Sequence, residues 1–108
     1  MVPGLNGAWL VVGEDAERLR RYASRLSDPR LSALVRMAAN VLEQASWELM
    51  TGRVTSNTIE SLGIVERLLA STRLPVEPIR RALRIAKMSV RARLEGLAAI
   101  EEEVVALP

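Results

Sequence analysis

A seam of apolar residues in the middle of the chain restricts the fold more than any other feature of the sequence. Its members follow one another at spacings of four and three residues: Leu31, Val35, Ala38, Leu42, Ala45 and Leu49. This spacing keeps the side chains on one face of an α-helix, whereas in a β-strand it would scatter them over both faces. The segment is therefore predicted to be a helix that packs against other helices in a coiled-coil-like manner.

Capping residues bound this helix and predict another one after it. Asp28 is a good N-cap, Pro29 suits the first helical position, and Gly52 is placed to terminate the helix. After the turn, Asn57 and Glu60 form the capping-box-like start of a further helix. Local signals therefore predict both boundaries of the second helix and the start of the third.

The two ends of the chain are predicted to differ from each other. Residues 1–13 contain Pro3 and several glycines, and we expect them to form an extended N-terminal arm. A first helix follows over residues 14–27, and Pro78 opens a fourth helix with no later stop signal. The prediction is an all-α, four-helix up-down bundle with a long C-terminal helix, in which residues 14–108 form a single domain.

The chain lacks two residue types on which most enzymes and metal sites depend. None of its 108 residues is cysteine or histidine, which removes disulfides, thiolate ligands and the commonest general base. We therefore expect no catalytic site, metal or cofactor. No apolar run approaches the roughly 20 residues of a membrane span. No basic region precedes the short apolar run near the start, so we expect a cytoplasmic protein rather than a secreted one.

A basic run lies in the predicted last helix. Residues 80–93 contain six basic side chains and no acid. Four of them share a narrow sector of the helix: Arg80, Arg84, Lys87 and Arg91. This basic row of about 16 Å, at 1.5 Å per residue, suits the phosphate backbone of a nucleic acid, to which arginine donates forked hydrogen bonds. Glutamine occurs only once, which fits a thermophilic source. Arginine supplies fourteen of the fifteen basic residues, which a biased codon usage explains equally well.

A second row of cations is predicted on the first helix, formed by Arg18, Arg21 and Arg25. If the first and fourth helices are neighbours, the two rows can join into one basic face. The alternative is a solvated face. In that case its arginines pair with acids of neighbouring helices, and such pairs contribute little, under about 1 kcal/mol. The acids in question are Glu43, Glu48 and Glu66.

Two further features are candidates for protein contacts. Trp47 occupies a polar face of the second helix, where it either marks a protein interface or is covered by the N-terminal arm, the explanation that we favour. The last helix ends in apolar residues that we expect to extend beyond the cover within the chain and to form an interface: Leu94, Leu97, Ile100 and Val104. Residues 80–93 are positive and residues 95–103 negative, an asymmetry that can guide self-association.

These observations favour a non-catalytic accessory subunit that contacts a nucleic-acid backbone. In size and helical class the chain resembles the small helical subunits of CRISPR interference complexes, although it shares no motif with them. The alternative function is an interaction module that binds an acidic partner or a second copy of itself through the apolar end of the last helix. An enzyme that clamps a small dianion with Arg21, Arg25, Arg84 and Lys87 ranks last, because no spacing supports a particular reaction.

Overall fold

Four α-helices make up the part of the chain that the structure describes. The computed structural model describes the backbone of residues 3–72 and 77–106 and the side chains of residues 7–72 and 79–96. Within these ranges there is no strand, and the helices are α1 (Pro3–Arg25), α2 (Pro29–Thr51), α3 (Ser56–Ala70) and α4 (Glu77–Ala106). Each helix packs against the next, and α4 also packs against α1 and α2. The prediction of an all-α fold of four packed helices is confirmed.

The first helix begins well before the position predicted from the sequence. α1 starts at Pro3 rather than at Glu14, so residues 3–13 are helical and the extended arm is not confirmed. A buried stripe with spacings of four, three and four crosses the predicted boundary: Val12, Ala16, Leu19 and Ala23. Burial of this stripe offsets the cost of about 0.5–1 kcal/mol that each glycine imposes on a helix.

Two hydrogen bonds show that α1 and α2 lie side by side in opposite directions. Near one end of the pair, the Ser46 hydroxyl donates to the carbonyl of Trp9 over 2.7 Å. Near the other end, the Ser32 hydroxyl donates to the carbonyl of Ala23 over 2.9 Å. The two helices are in close contact at Gly13, where a Cβ would lie 3.1 Å from the Ser46 hydroxyl oxygen. The N-terminal half of α1 is thus an integral part of the bundle.

The caps of α2 are those predicted from the sequence. The Asp28 carboxylate accepts the backbone N–H groups of Arg30 and Leu31 at 2.9 and 3.4 Å, and the predicted proline is the first residue of the helix. Gly52 ends α2 in the left-handed conformation, with a φ of 74°. Both caps are local arrangements of a few residues, which explains why the sequence alone predicted them correctly.

Two glycines are expected to respond in opposite ways to alanine. Gly52→Ala should lower the free energy of unfolding by about 1 kcal/mol or more, because an alanine at positive φ is strained. Its Cβ would also lie 3.2 Å from the Arg93 guanidinium. Gly63→Ala should raise the free energy by about 0.5–1 kcal/mol, because its Cβ meets no atom within 4 Å in the middle of α3. Urea denaturation of both variants tests this, and a stabilising Gly52→Ala would contradict the described cap.

The start of α3 differs from its prediction. The N-cap is Thr55 and the helix begins at the next residue, so the expected start at Asn57 with Glu60 is wrong. Thr55 makes no capping hydrogen bond with its own side chain. Its backbone N–H instead donates to the carboxylate of Glu48, on α2, over 2.9 Å. A distant acid thus takes the role that Glu60 would have in a capping box.

Most of the predicted α2 seam lies in the core. Its four central members are fully buried, and Leu49 packs against them at the edge of the core. α4 contributes a buried stripe of its own: Ile79, Leu83, Ala86 and Val90. No helix in the described part of the chain combines the length and the apolar character needed to cross a lipid bilayer. The buried stripe fixes the rotation of α4 and therefore the direction of its charged side chains.

Candidate nucleic-acid interface

The basic row lies along one side of α4. At 100° per residue, positions 80, 84, 87 and 91 span about 60° and are centred about a quarter-turn from the buried stripe. Arg84 and Arg91 are exposed, whereas Arg80 and Lys87 are half-buried. Half of the row therefore projects freely into solvent.

The four cations of the row also differ in their contacts with acidic side chains. The ammonium group of Lys87 lies 3.8 Å from a carboxylate oxygen of Glu66, so the row runs along the side of α4 that borders α3. Arg80 also has a partner. Among the side chains described, no acid lies within ion-pairing distance of Arg84 or Arg91. The solvated-face explanation accounts for Lys87 but gives these two arginines no acidic partner.

The predicted row on α1 is exposed along its whole length. Arg18, Arg21 and Arg25 all face solvent, and Arg18 lies 3.5 Å from the carboxylate of Asp15, one turn earlier. Arg20 projects towards α2 instead. Its guanidinium pairs with the carboxylate of Glu43 and donates to the side-chain oxygen of Asn40. Three cations of α1 therefore share the outer surface, and the fourth ties α1 to α2.

A groove separates the two rows, even though α1 and α4 are in contact. Its lining combines apolar side chains with charged ones: Val11, Asp15, Arg18, Leu19, Arg81, Ala82 and Ile85. The cation with which α4 faces α1 is thus Arg81, about 90° around the helix from the centre of the row. The rows do not meet directly, because Arg81 lies between them. The sequence alone does not show that Arg81 faces α1, because this orientation depends on the rotation that the buried stripe gives to α4.

One carboxylate lies within this groove. Burial raises the pKa of Asp15 above its ordinary value of 3.8, and Glu14 acts in the same direction. The positive charges of Arg18 and Arg81 oppose the shift, with Arg18 the stronger of the two. Asp15 therefore reduces the positive charge of the groove, and the strongest uncompensated charge remains on the exposed arginines.

Trp47 is exposed on the outer face of α2, with 59% of its surface accessible. The expected cover by the N-terminal arm is wrong, because the arm region is helical and packs on another side of α2. The indole borders a shallow depression lined by Gln44, Glu48, Thr51, Arg53 and Thr55. A solvent-exposed tryptophan is a residue type enriched at protein interfaces, so Trp47 remains a candidate contact.

The apolar end of α4 is only partly within the described region. Leu94 is half-buried and packs against the core. The side chains of Leu97, Ile100 and Val104 lie outside the part of the chain whose side chains the structure describes. Their backbone belongs to α4, which ends at Ala106.

A buried acid that sequence analysis had treated as an ion-pair candidate organises the α2–α3 junction instead. Glu48 is only 5% exposed. One carboxylate oxygen accepts the backbone N–H and the hydroxyl of Thr55, at 2.9 and 3.3 Å. The other accepts the amide of Gln44 at 3.0 Å and the hydroxyl of Thr58. The available signal was the position of Glu48 one turn after Ala45, at the edge of the seam, with two threonines beyond the turn.

The described side chains include no cluster of three acidic residues that could hold a metal ion. Comparison with known proteins identifies no relative: no family model matches the chain, and no curated protein or solved structure matches it either. The class of the molecule thus rests on its own architecture, an all-α protein of four packed helices with a basic row of which Arg84 and Arg91 are exposed.

Proposed function

We propose that this protein is a non-catalytic helical accessory subunit that contacts a nucleic-acid backbone through the basic row of α4. The observation that supports the proposal best is the exposure of Arg84 and Arg91 without an acidic partner among the described side chains. Guanidinium groups spaced along one side of a helix suit a strand whose phosphates follow one another at short intervals.

The affinity expected of such a surface favours a role inside a larger nucleoprotein complex. About four phosphate contacts give weak, non-specific binding, with a dissociation constant of about 10⁻⁴ to 10⁻⁶ M at physiological salt. The other subunits of a complex, such as an effector of the CRISPR type, supply the remaining affinity. In that setting the protein positions a strand without reading its sequence.

The arginines of α1 extend this surface beyond α4. Arg18, Arg21 and Arg25 are exposed, and Arg81 stands between them and the basic row. A strand bound along α4 meets Arg81 next as it turns towards α1. The row of α4 is the primary contact, because Asp15 lowers the charge of the groove.

The proposal predicts binding that depends on salt and on two named arginines. In fluorescence-anisotropy titrations with short single- and double-stranded DNA and RNA, we expect a log–log salt slope of about −3 to −4 for four contacts. Arg84→Glu/Arg91→Glu should abolish binding at physiological salt, because it replaces the two exposed cations of the row with acids.

A matched variant controls for net charge. Arg30→Glu/Arg36→Glu makes the same charge change at two exposed arginines of α2, and it should bind nearly as well as the wild type. Equal loss in both double variants would mean that total charge, rather than the basic row, determines binding. Absence of binding by the wild type would contradict the proposed function.

A second candidate function is protein–protein interaction, with an acidic partner or a second copy of the chain. The exposed Trp47 favours it, together with the apolar residues at the end of the last helix. Self-association has stronger support from another face of α4.

A further inference from the structure

The outward face of α4 carries a stripe of residues that is symmetric in spacing. Its members follow one another at intervals of four, three, four, four, three and four: Arg81, Ile85, Met88, Ala92, Gly96, Ala99 and Glu103. At 100° per residue these positions fall within a sector of about 80°. They therefore form one face of the helix, roughly opposite the buried stripe.

The bundle leaves the described part of this outward stripe open except at Ile85, which is half-buried beside the groove. Met88 is 64% exposed, more than any other large hydrophobic residue of the described region. Arg81, Ala92 and Gly96 are also exposed. A Cβ at Gly96 would meet no atom within 4 Å. The last two members of the stripe, at positions 99 and 103, belong to α4 by their backbone.

The stripe is complementary to itself when it is read in the opposite direction. Reversal about Ala92 sets Arg81 opposite Glu103 and the large Met88 opposite Gly96. Ile85 then meets a second small residue, at position 99, and Ala92 meets its own copy. Opposite charges thus meet at both ends, and a large side chain meets a small one within, the pattern that lets two helices pack closely.

The same reversal brings charged residues on one flank of the stripe near one another. Reversal sets Arg84 near Glu102 and Arg91 near Glu95, and all four positions lie within about 40° of one another around the helix. In antiparallel helix pairs, flanking residues on the same side of the two helices are neighbours. The Arg84–Glu102 and Arg91–Glu95 pairs therefore join opposite charges, whereas Arg91 lies equally close to its own copy, between two glutamates.

We propose that the chain forms a two-fold symmetric homodimer in which two α4 helices pair antiparallel, with the axis beside Ala92. Such an interface is isologous, so every contact occurs twice. The occupant of the open face is a second copy because the face is complementary in charge and size to itself. This inference does not depend on nucleic-acid binding.

The same pairing also fills the groove between α1 and α4. In this register, positions 100 and 104 of one copy lie at the same level along the helix axis as positions 84 and 80 of the other, but on the flank that borders α1. The apolar end of one α4 then lies along the groove of its partner, where Val11 is 46% exposed and Arg18 and Arg81 stand at the edges. The groove and the end of α4 thus cover each other.

Charge reversal at the ends of the stripe tests this pairing. Sedimentation equilibrium of the full chain without nucleic acid should show dimers. Arg81→Glu and Glu103→Arg should each raise the dimer dissociation constant about tenfold or more, because each replaces two attractive pairs with two repulsive ones. The combined variant should return to within a few-fold of the wild type. Glu60→Arg, on the exposed face of α3, controls for charge and should have no effect.

Cysteine cross-linking tests the register. The native chain has no cysteine, so Ala92→Cys supplies one thiol that faces its own copy at the two-fold axis and should oxidise rapidly to a covalent dimer. Met88→Cys is the control, because its copies are offset by eight residues, or about 12 Å, beyond the reach of a disulfide. Equal oxidation rates of the two variants would overturn the register. A wild type that stays monomeric at its highest soluble concentration would overturn the dimer.

The proposed dimer and the proposed nucleic-acid complex use the same two arginines. Measurements of dimerisation and of nucleic-acid binding can therefore support or contradict each proposal separately. Arg84 and Arg91 face acids of the second copy in the dimer, and they face phosphates in the nucleic-acid complex. Dimerisation without nucleic-acid binding would support only the inference from α4 symmetry. Binding by a strictly monomeric chain would support only the proposed function and overturn the dimer.

Discussion

Replacement of Glu48 by alanine is expected to lower the free energy of unfolding by about 3 kcal/mol or more. The carboxylate is buried and accepts four hydrogen bonds, two of them from Thr55. Its removal takes the acceptor from the backbone N–H of Thr55, the N-cap of α3, and leaves the buried Thr58 hydroxyl with only the Thr55 hydroxyl, 3.3 Å away. Unsatisfied buried donors of this kind cost about 1–3 kcal/mol each. Urea denaturation followed by circular dichroism measures the change.

Two further variants separate the hydrogen bonds from the charge. Glu43→Ala removes an exposed carboxylate from the same helix and should cost less than about 1 kcal/mol, even though it loses the pair with Arg20. Glu48→Gln keeps the shape but cannot accept all four donors, so it should fall between the wild type and Glu48→Ala. Similar losses for Glu43→Ala and Glu48→Ala would contradict the role assigned to the buried acid.

Leu42→Ala is expected to cost about 2–5 kcal/mol, the range found for leucine-to-alanine changes in close-packed cores. Leu42 is fully buried at the centre of the α2 seam. Because α2 packs against all three other helices, the core can collapse only partly into the space that the truncation leaves. The variant should therefore unfold at lower urea concentration with an unchanged dependence on denaturant.

Met50 provides the comparison for this core position. It lies on the same helix but is exposed, and Met50→Ala should change the free energy of unfolding by no more than about 0.5 kcal/mol. An equally large loss at Met50 would mean that its face of α2 is covered in solution. An equally small loss at Leu42 would contradict the described core.

The parts of the fold that the sequence predicted correctly depend on local signals. The Asp28 and Gly52 caps act within a few residues of the chain, and the α2 seam follows directly from helical periodicity. The early start of α1 was missed because three glycines suggested a loop, while the buried stripe through Val12 outweighed them. The free energy of burying apolar side chains in the bundle therefore outweighs the low helix propensity of the glycines in this segment.

The start of α3 could not be predicted because its partner is distant in sequence. Asn57 has the right chemistry for a cap, but Glu48 accepts the N–H of Thr55 from another helix. A residue pattern read along one segment holds no information about a carboxylate that the fold brings to it. The exposure of Trp47 was missed for a related reason, since the expected covering arm is a helix packed elsewhere.

For the candidate interface, the sequence predicted which cations share a helix face and left their partners open. The positions of the basic row follow from periodicity alone. Which cations meet an acid depends on how helices pack: Lys87 reaches Glu66, while Arg84 and Arg91 reach none of the described acids. The importance of Arg81 at the groove also depends on the rotation of α4.

The hairpin of α1 and α2 has a consequence for the order in which the molecule folds. Its contact is the most extensive between any two helices, it is closed by a short capped turn, and hydrogen bonds join it near both ends. Contacts between neighbours in sequence cost little chain entropy, so they form early. We expect the hairpin to be the folding nucleus and α4 to dock onto it late. Truncations in α2 should then slow folding, whereas truncations in α4 should mainly speed unfolding.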